Sequence, residues 1–179
     1  MLRTATLAAT TAACLLSLAA PVAALDCPLA RAVYTPLDAD DDWGAEDGKT
    51  NAWEITHPRR DGTESDRPWV LRLAENRQGL AAEFALAHPP GFGAAHVFMV
   101  SPPSPPAKGK RFDATTAPSA SLYYFGDDLK RLDPAGEGDP KAPPYVQLPG
   151  LSKAFWDWKR DGRRFVPPDG LWKLTTCRP

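Results

Sequence analysis

Cysteine is scarce in this chain of 179 residues: there are three. Cys14 lies in an apolar N-terminal stretch, whereas Cys27 and Cys177 lie near the two ends of the remaining sequence. If the N-terminal stretch is removed, only one pair is left. We therefore predict a single disulfide between Cys27 and Cys177 that joins the two ends of an exported domain.

Long apolar runs are missing after the N-terminus. The single candidate, Leu7–Ala20, follows Arg3 and is followed by small residues suited to cleavage after Ala24. These are the parts of a secretory signal peptide, and the run is shorter than the roughly 20 residues that a bilayer span needs. We predict a signal peptide over 1–24 and one domain over 25–179, without a membrane span after cleavage. The composition, rich in Ala, Pro, Arg and Gly, favours a bacterial source and a periplasmic or secreted location.

Neither sign of charge dominates. The 21 lysine and arginine residues and 22 aspartate and glutamate residues give a formal net charge of −1 at pH 7, which becomes −2 when Arg3 is removed with the signal peptide. A charge this close to neutral provides no strong attraction to nucleic acid or to an anionic membrane. We therefore predict neither as a partner.

Helix-forming segments are few, because 20 prolines interrupt the chain. Each proline fixes φ and removes a backbone donor. Between the prolines, several runs alternate apolar and polar residues, which is typical of half-buried strands. The predicted strands are 31–34, 52–57, 69–73, 80–86, 96–100, 121–125 and 171–177, with a β-hairpin over 69–86. Residues 129–132 fit either a short strand or a helical turn. We expect a mainly β (α+β) fold, either a small antiparallel sandwich or a curled, barrel-like sheet, with one or two short helices.

One helix is predicted from Leu151 or Ser152 to about Arg160, because Leu151, Phe155 and Trp158 recur on one helical face. The tryptophans divide into two groups. Those expected to fill the core are Trp53, Trp69, Trp158 and Trp172. Those expected at a binding surface are Trp43, which lies in an acidic loop, and Trp156, which points away from Trp158 on the helix.

The C-terminal sequence Pro-Asp-Gly-Leu-Trp-Lys-Leu-Thr-Thr-Cys, preceded by Tyr145–Leu151, resembles small exported bacterial proteins of unknown function. Those proteins also pair an N-terminal with a C-terminal cysteine. The similarity covers about the last third of the chain and the terminal cysteines. It implies an exported domain closed by a disulfide, and it implies no activity and no site residues.

No segment matches a catalytic or metal-binding motif. In the frame of an EF-hand loop that starts at Asp38, Trp43 replaces the required glycine and Lys49 replaces the required glutamate. Ser152 lacks the second glycine of a nucleophile elbow and fits a helix N-terminus instead. The histidines lack zinc-site spacing: His57, His88 and His96. We predict no catalytic residue, no metal site and no cofactor.

The leading functional hypothesis is a non-catalytic exported module that binds a periplasmic protein or a saccharide. Two alternatives remain open: a small periplasmic hydrolase or metal-dependent enzyme, and an inhibitor of a hydrolase such as lysozyme. An enzyme should bring two or more histidines and nearby carboxylates together in a concave pocket. A binding module should instead expose an aromatic patch or a projecting loop. The sequence does not define the oligomeric state.

Overall fold

The computed structural model of the chain describes residues 26–37, 53–59, 70–87, 95–105, 108, 111–132, 140–158 and 165–179. Several predicted features lie outside the described residues: the signal peptide, the acidic run with Trp43, Trp69, and His88.

Within these residues the chain forms nine β-strands and one α-helix, and all strand pairs are antiparallel. The strands are β1 (Ala32–Pro36), β2 (Trp53–Thr56), β3 (Val70–Glu75), β4 (Leu80–Ala87), β5 (Ala95–Ser101), β6 (Ser119–Phe125), β7 (Arg131–Leu132), β8 (Tyr145–Gln147) and β9 (Leu171–Cys177). The helix is α1 (Leu151–Asp157), and a 3-10 turn over Leu29–Arg31 precedes β1.

Eight of these strands close into a barrel. Their order around the wall is β1, β2, β3, β4, β5, β6, β8 and β9, and β9 pairs again with β1. The closing pair β5–β6 runs from Ala95 opposite Leu122 to Phe98 opposite Ser119. The short β7 pairs only with the end of β6. The predicted mainly β fold is thus confirmed, in its barrel-like form.

The predicted hairpin is confirmed as β3 and β4, which pair from Val70 opposite Ala85 to Glu75 opposite Leu80. Gly79 has φ of 65° in the connecting turn, a conformation that glycine adopts without steric cost. The Glu75 carboxylate accepts backbone hydrogen bonds from Arg77 and Gln78 at 3.2 and 2.6 Å. This side chain therefore fixes the turn that sets the hairpin register.

Two elements differ from the predictions. Strand β8 was not predicted, because it has three residues and directly follows Pro143 and Pro144. Helix α1 ends at Asp157, three residues before the expected Arg160, and Gly150 precedes it with φ of 77°. Among the described residues, no helix has both the length and the apolar composition needed to cross a bilayer.

Side chains fill the barrel interior. Residues of β4 are alternately buried and half-buried, as expected for a wall with one face in the core. The largest side chains that are at most 2% exposed include Trp172, Tyr34, Tyr124 and Phe84. An eight-stranded barrel is just wide enough to be filled by side chains or to hold one small ligand. Aromatic rings occupy that space here.

Helix α1 covers one end of the barrel. The Phe155 ring lies 6.2 Å from Phe84 and 5.0 Å from Phe165, measured between ring centroids. Phe165 also contacts Trp53, the first residue of β2, at 4.8 Å. These edge-on aromatic contacts close the barrel end at which β2 begins.

The disulfide lies at the opposite end. Cys27 and Cys177 are bonded with their Cα atoms 5.7 Å apart, within the limit of about 7 Å for such a bond. Ala32 in β1 lies opposite Cys177 in β9. The predicted meeting of the two chain ends on one β structure is therefore confirmed.

Candidate functional site

Four of the six tryptophans lie among the described residues. Trp172 is buried, whereas Trp53 and Trp158 are half-buried against the edge of the core. Trp156 is 46% exposed, although its neighbour Phe155 is buried. The exposure predicted for Trp156 is thus present. Its role in binding stays a prediction, as does that of Trp43, which lies outside the described residues.

The two described histidines lie on opposite faces of the barrel wall. His57 has no solvent exposure and points inward. His96 lies on the outer face of β5, where it stacks on Phe98 with 5.9 Å between the ring centroids. These two side chains therefore do not share a pocket. In the part of the chain that the structure describes, no group of three or more His, Cys, Asp or Glu residues could hold a metal ion.

His57 belongs to a small polar cluster inside the barrel. Its Nε2 atom lies 3.0 Å from the Tyr124 hydroxyl, and the Tyr34 ring packs edge-on against it at 5.8 Å. The Tyr34 hydroxyl donates a hydrogen bond of 2.9 Å to the Pro143 carbonyl. His57 Nδ1 has no hydrogen-bond partner among the described residues. His57 alternates with Ile55, and both side chains lie in the core without solvent exposure.

Burial keeps this cluster uncharged. Loss of hydration lowers the pKa of His57 to about 3 and raises the pKa of Tyr34. It also raises the pKa of Tyr124, and Tyr34 contributes to that rise. All three side chains are therefore neutral near pH 7. A neutral imidazole can accept a proton, but a side chain without solvent exposure cannot contact a substrate in this conformation.

The outer wall carries a surface that we call the cationic–aromatic face, defined by Tyr123, Phe125, Arg131, Tyr145 and Lys173. Phe125 lies opposite Arg131 on one side and opposite Tyr145 on the other. Tyr145 lies opposite Lys173 in turn. Directly opposed residues of antiparallel strands project on the same side of the sheet. Four of these side chains therefore form one row across β7, β6, β8 and β9.

The row spans three strand spacings, or about 14 Å, from Arg131 to Lys173. Both cations are exposed, and the rings between them are half-buried. The Arg131 guanidinium also lies 4.6 Å from the centroid of the Tyr123 ring, close enough for a cation–π interaction. The face therefore combines flat apolar rings with two positive charges.

Sequence reasoning missed this face because its residues come from four separate strands. In the structure, a buried neighbour in the same strand marks three of these side chains as outward. Phe125 follows the buried Tyr124, Tyr145 precedes the buried Val146, and Lys173 separates two buried residues of β9. That pattern could have identified outward positions, but only the strand order brings them together.

A small pocket lies beside α1, next to Leu80 at the start of β4. Its volume is about 20 Å³, close to the space that one water molecule needs. The lining residues are Leu80, Pro102, Pro103, Ser104, Phe155, Trp158 and Phe165. A pocket of this size and lining does not fit an organic substrate.

These features define a class of protein: an antiparallel eight-stranded barrel with a filled interior and a disulfide between its ends. Comparison of the chain with models of protein families, with curated proteins and with solved structures finds no match.

Proposed function

We propose that this protein is an exported, non-catalytic binding module whose partner contacts the outside of the barrel. In this proposal the signal peptide over 1–24 is removed, and the domain over 25–179 acts in the periplasm or outside the cell. The export pattern at the N-terminus and the Cys27–Cys177 disulfide support this location.

The observation that carries the proposal is the division of aromatic residues between the two sides of the wall. Large rings such as Trp172 and Tyr124 fill the interior, where a ligand of an eight-stranded barrel would otherwise lie. Other rings and two cations form the cationic–aromatic face outside. Aromatic and arginine side chains are the types most enriched at binding hot spots. The binding surface is therefore assigned to the outer wall.

Photo-crosslinking tests this assignment. Tyr145 is replaced by p-benzoylphenylalanine in the full chain, which is expressed with its signal in a cell that exports it. After irradiation we expect an adduct on the exported protein, identified by mass spectrometry. N-terminal sequencing of the same sample should begin at Leu25.

Two matched positions serve as controls. Phe98 is an exposed aromatic residue on the outer face of β5, and Trp156 is exposed on α1. The proposal requires an adduct at position 145 in clear excess over position 98. An adduct at position 156 alone would show that the partner binds at helix α1 and not at the cationic–aromatic face. Equal labelling at all three positions would contradict a defined binding surface.

A further inference from the structure

The charge distribution around the barrel wall is uneven. None of the strand residues of β6, β7, β8 and β9 is acidic, whereas Arg131 and Lys173 are basic. Strands β2 and β4 contain the half-buried Glu54 and Glu83, and β3 contains the exposed Arg72. Glu75 of β3 is buried and does not contribute to the outer surface. The row across β7, β6, β8 and β9 thus carries two positive charges and no carboxylate, although the net charge of the chain is −1 and the exposed Asp127 and Asp128 lie in the turn between β6 and β7.

Among the described residues, neither Arg131 nor Lys173 takes part in an ion pair, whereas the nearby Lys130 pairs with Asp128 at 2.8 Å. The Tyr123 ring beside the Arg131 guanidinium carries no net charge, so this contact does not neutralise the arginine. A ligand that carries carboxylate or sulfate groups would complement both ends of the row.

The rings between the cations indicate what the anion is attached to. Phe125 and Tyr145 lie side by side in the row and offer ring surface between the two charges. The C–H face of a sugar ring packs on such a surface, and its hydroxyl groups can hydrogen-bond to neighbours such as Gln147. A chain of acidic sugars therefore matches a row in which two rings lie between two positive charges.

An acidic peptide matches the face less well. Strand β8 is paired with β6 on one side and with β9 on the other, so it has no free edge here. Among the described strands of the row, only the two-residue β7 lacks a partner on one side, so strand addition could give an extended peptide few main-chain hydrogen bonds. A sugar chain needs no such bonds, because stacking and side-chain contacts suffice.

We propose that the cationic–aromatic face binds a negatively charged polysaccharide. Arg131 and Lys173 contact acidic groups of the ligand, and Phe125 and Tyr145 contact the faces of its sugar rings. This inference rests on the proposed binding function and names the chemical class of the partner.

The test uses the oxidised domain over 25–179 with three probes: polygalacturonate, its neutral methyl ester, and poly-L-glutamate. Isothermal titration calorimetry should detect binding of polygalacturonate, which weakens as salt is added. Binding of the methyl ester and of poly-L-glutamate should be at least about tenfold weaker. Arg131→Gln, Lys173→Gln and Tyr145→Ala should each weaken polygalacturonate binding by about the same factor.

Arg72→Gln is the matched control, because Arg72 is an exposed arginine on the outer face of β3, away from the cationic–aromatic face. It should leave the affinity unchanged. Circular dichroism of each variant confirms that the barrel is folded before affinities are compared.

The possible failures can be distinguished. Equal affinity for the methyl ester would overturn the role of charge, and tighter binding of poly-L-glutamate would make the partner an acidic polypeptide. If no probe binds while crosslinking at position 145 still gives an adduct, the ligand class is wrong and the binding function stands. If position 145 gives no adduct either, both proposals fail.

Discussion

At the scale of single residues, His57 should make the protein sensitive to acid. Its pKa is lowered to about 3 in the folded state by burial, whereas an unfolded histidine has a pKa of about 6.5. Between these values the unfolded chain binds the proton and the folded chain does not. The free energy of unfolding should therefore fall as the pH drops from about 6.5 towards 3, by up to about 1.4 kcal/mol per pH unit from this residue.

Urea unfolding at a series of pH values between 7 and 4 measures this slope. The matched variant is the double substitution His57→Leu with Tyr124→Phe, which removes both partners of the 3.0 Å contact and so leaves no buried hydroxyl unpaired. Between about pH 6.5 and 5 few carboxylates titrate, so the variant should lose most of the slope there. A slope equal to that of the unmodified protein would show that His57 is not responsible.

At the scale of elements, α1 stabilises the barrel through one buried ring. Phe155 contacts Phe84 and Phe165, and it is 5% exposed. Phe155→Ala should reduce the free energy of unfolding by about 3–5 kcal/mol, because it removes a buried aromatic side chain and leaves a cavity. Urea or thermal unfolding of the oxidised protein measures this change.

The adjacent substitution Trp156→Ala is the control on the same helix. It removes a larger side chain that is 46% exposed, so its cost should be below about 1 kcal/mol. Similar losses for the two variants would mean that α1 does not close the barrel through Phe155.

Some strands could be predicted from the sequence and others could not. The hairpin of β3 and β4 was predictable because its two alternating strands and its turn are adjacent in the chain. Strand β8 was not, because it is too short to show a period and both of its partners are distant in sequence. The cationic–aromatic face depends on β8, since Tyr145 joins Phe125 to Lys173. The residue types of this face were visible in the sequence, but their proximity was not.

At the scale of the whole molecule, closure depends on one pairing between consecutive strands and one between the first and the last strand. The pair β5–β6 closes one part of the wall, and β1–β9 joins the ends of the chain. The second pairing could be inferred from Cys27 and Cys177, because a disulfide fixes which segments must meet. The first has no such marker, so a sandwich and a barrel were equally compatible with the predicted strands.

The disulfide should contribute a large share of the stability of the closed barrel. It joins residues separated by 150 positions in the sequence, and removal of such a cross-link increases the entropy of the unfolded chain by the equivalent of about 5 kcal/mol. Whole domains of this size are stable by about 5–15 kcal/mol. Reduction by dithiothreitol should therefore lower the free energy of unfolding by up to about 5 kcal/mol. The dependence of that free energy on urea concentration should become steeper, because the reduced unfolded chain exposes more surface.

Urea unfolding of the protein, with and without dithiothreitol, measures both changes. The double variant Cys27→Ala with Cys177→Ala should unfold like the reduced protein and should not respond to dithiothreitol. Ala32 lies opposite Cys177 at the start of the β1–β9 pairing. We therefore expect loss of the disulfide to loosen the backbone hydrogen bonds at this end of the two strands. Hydrogen exchange of those backbone amides should then accelerate more than exchange in the hairpin of β3 and β4, whose contacts are local. If exchange instead rises equally in both places, the disulfide stabilises the fold only through the unfolded chain and does not hold the barrel seam closed.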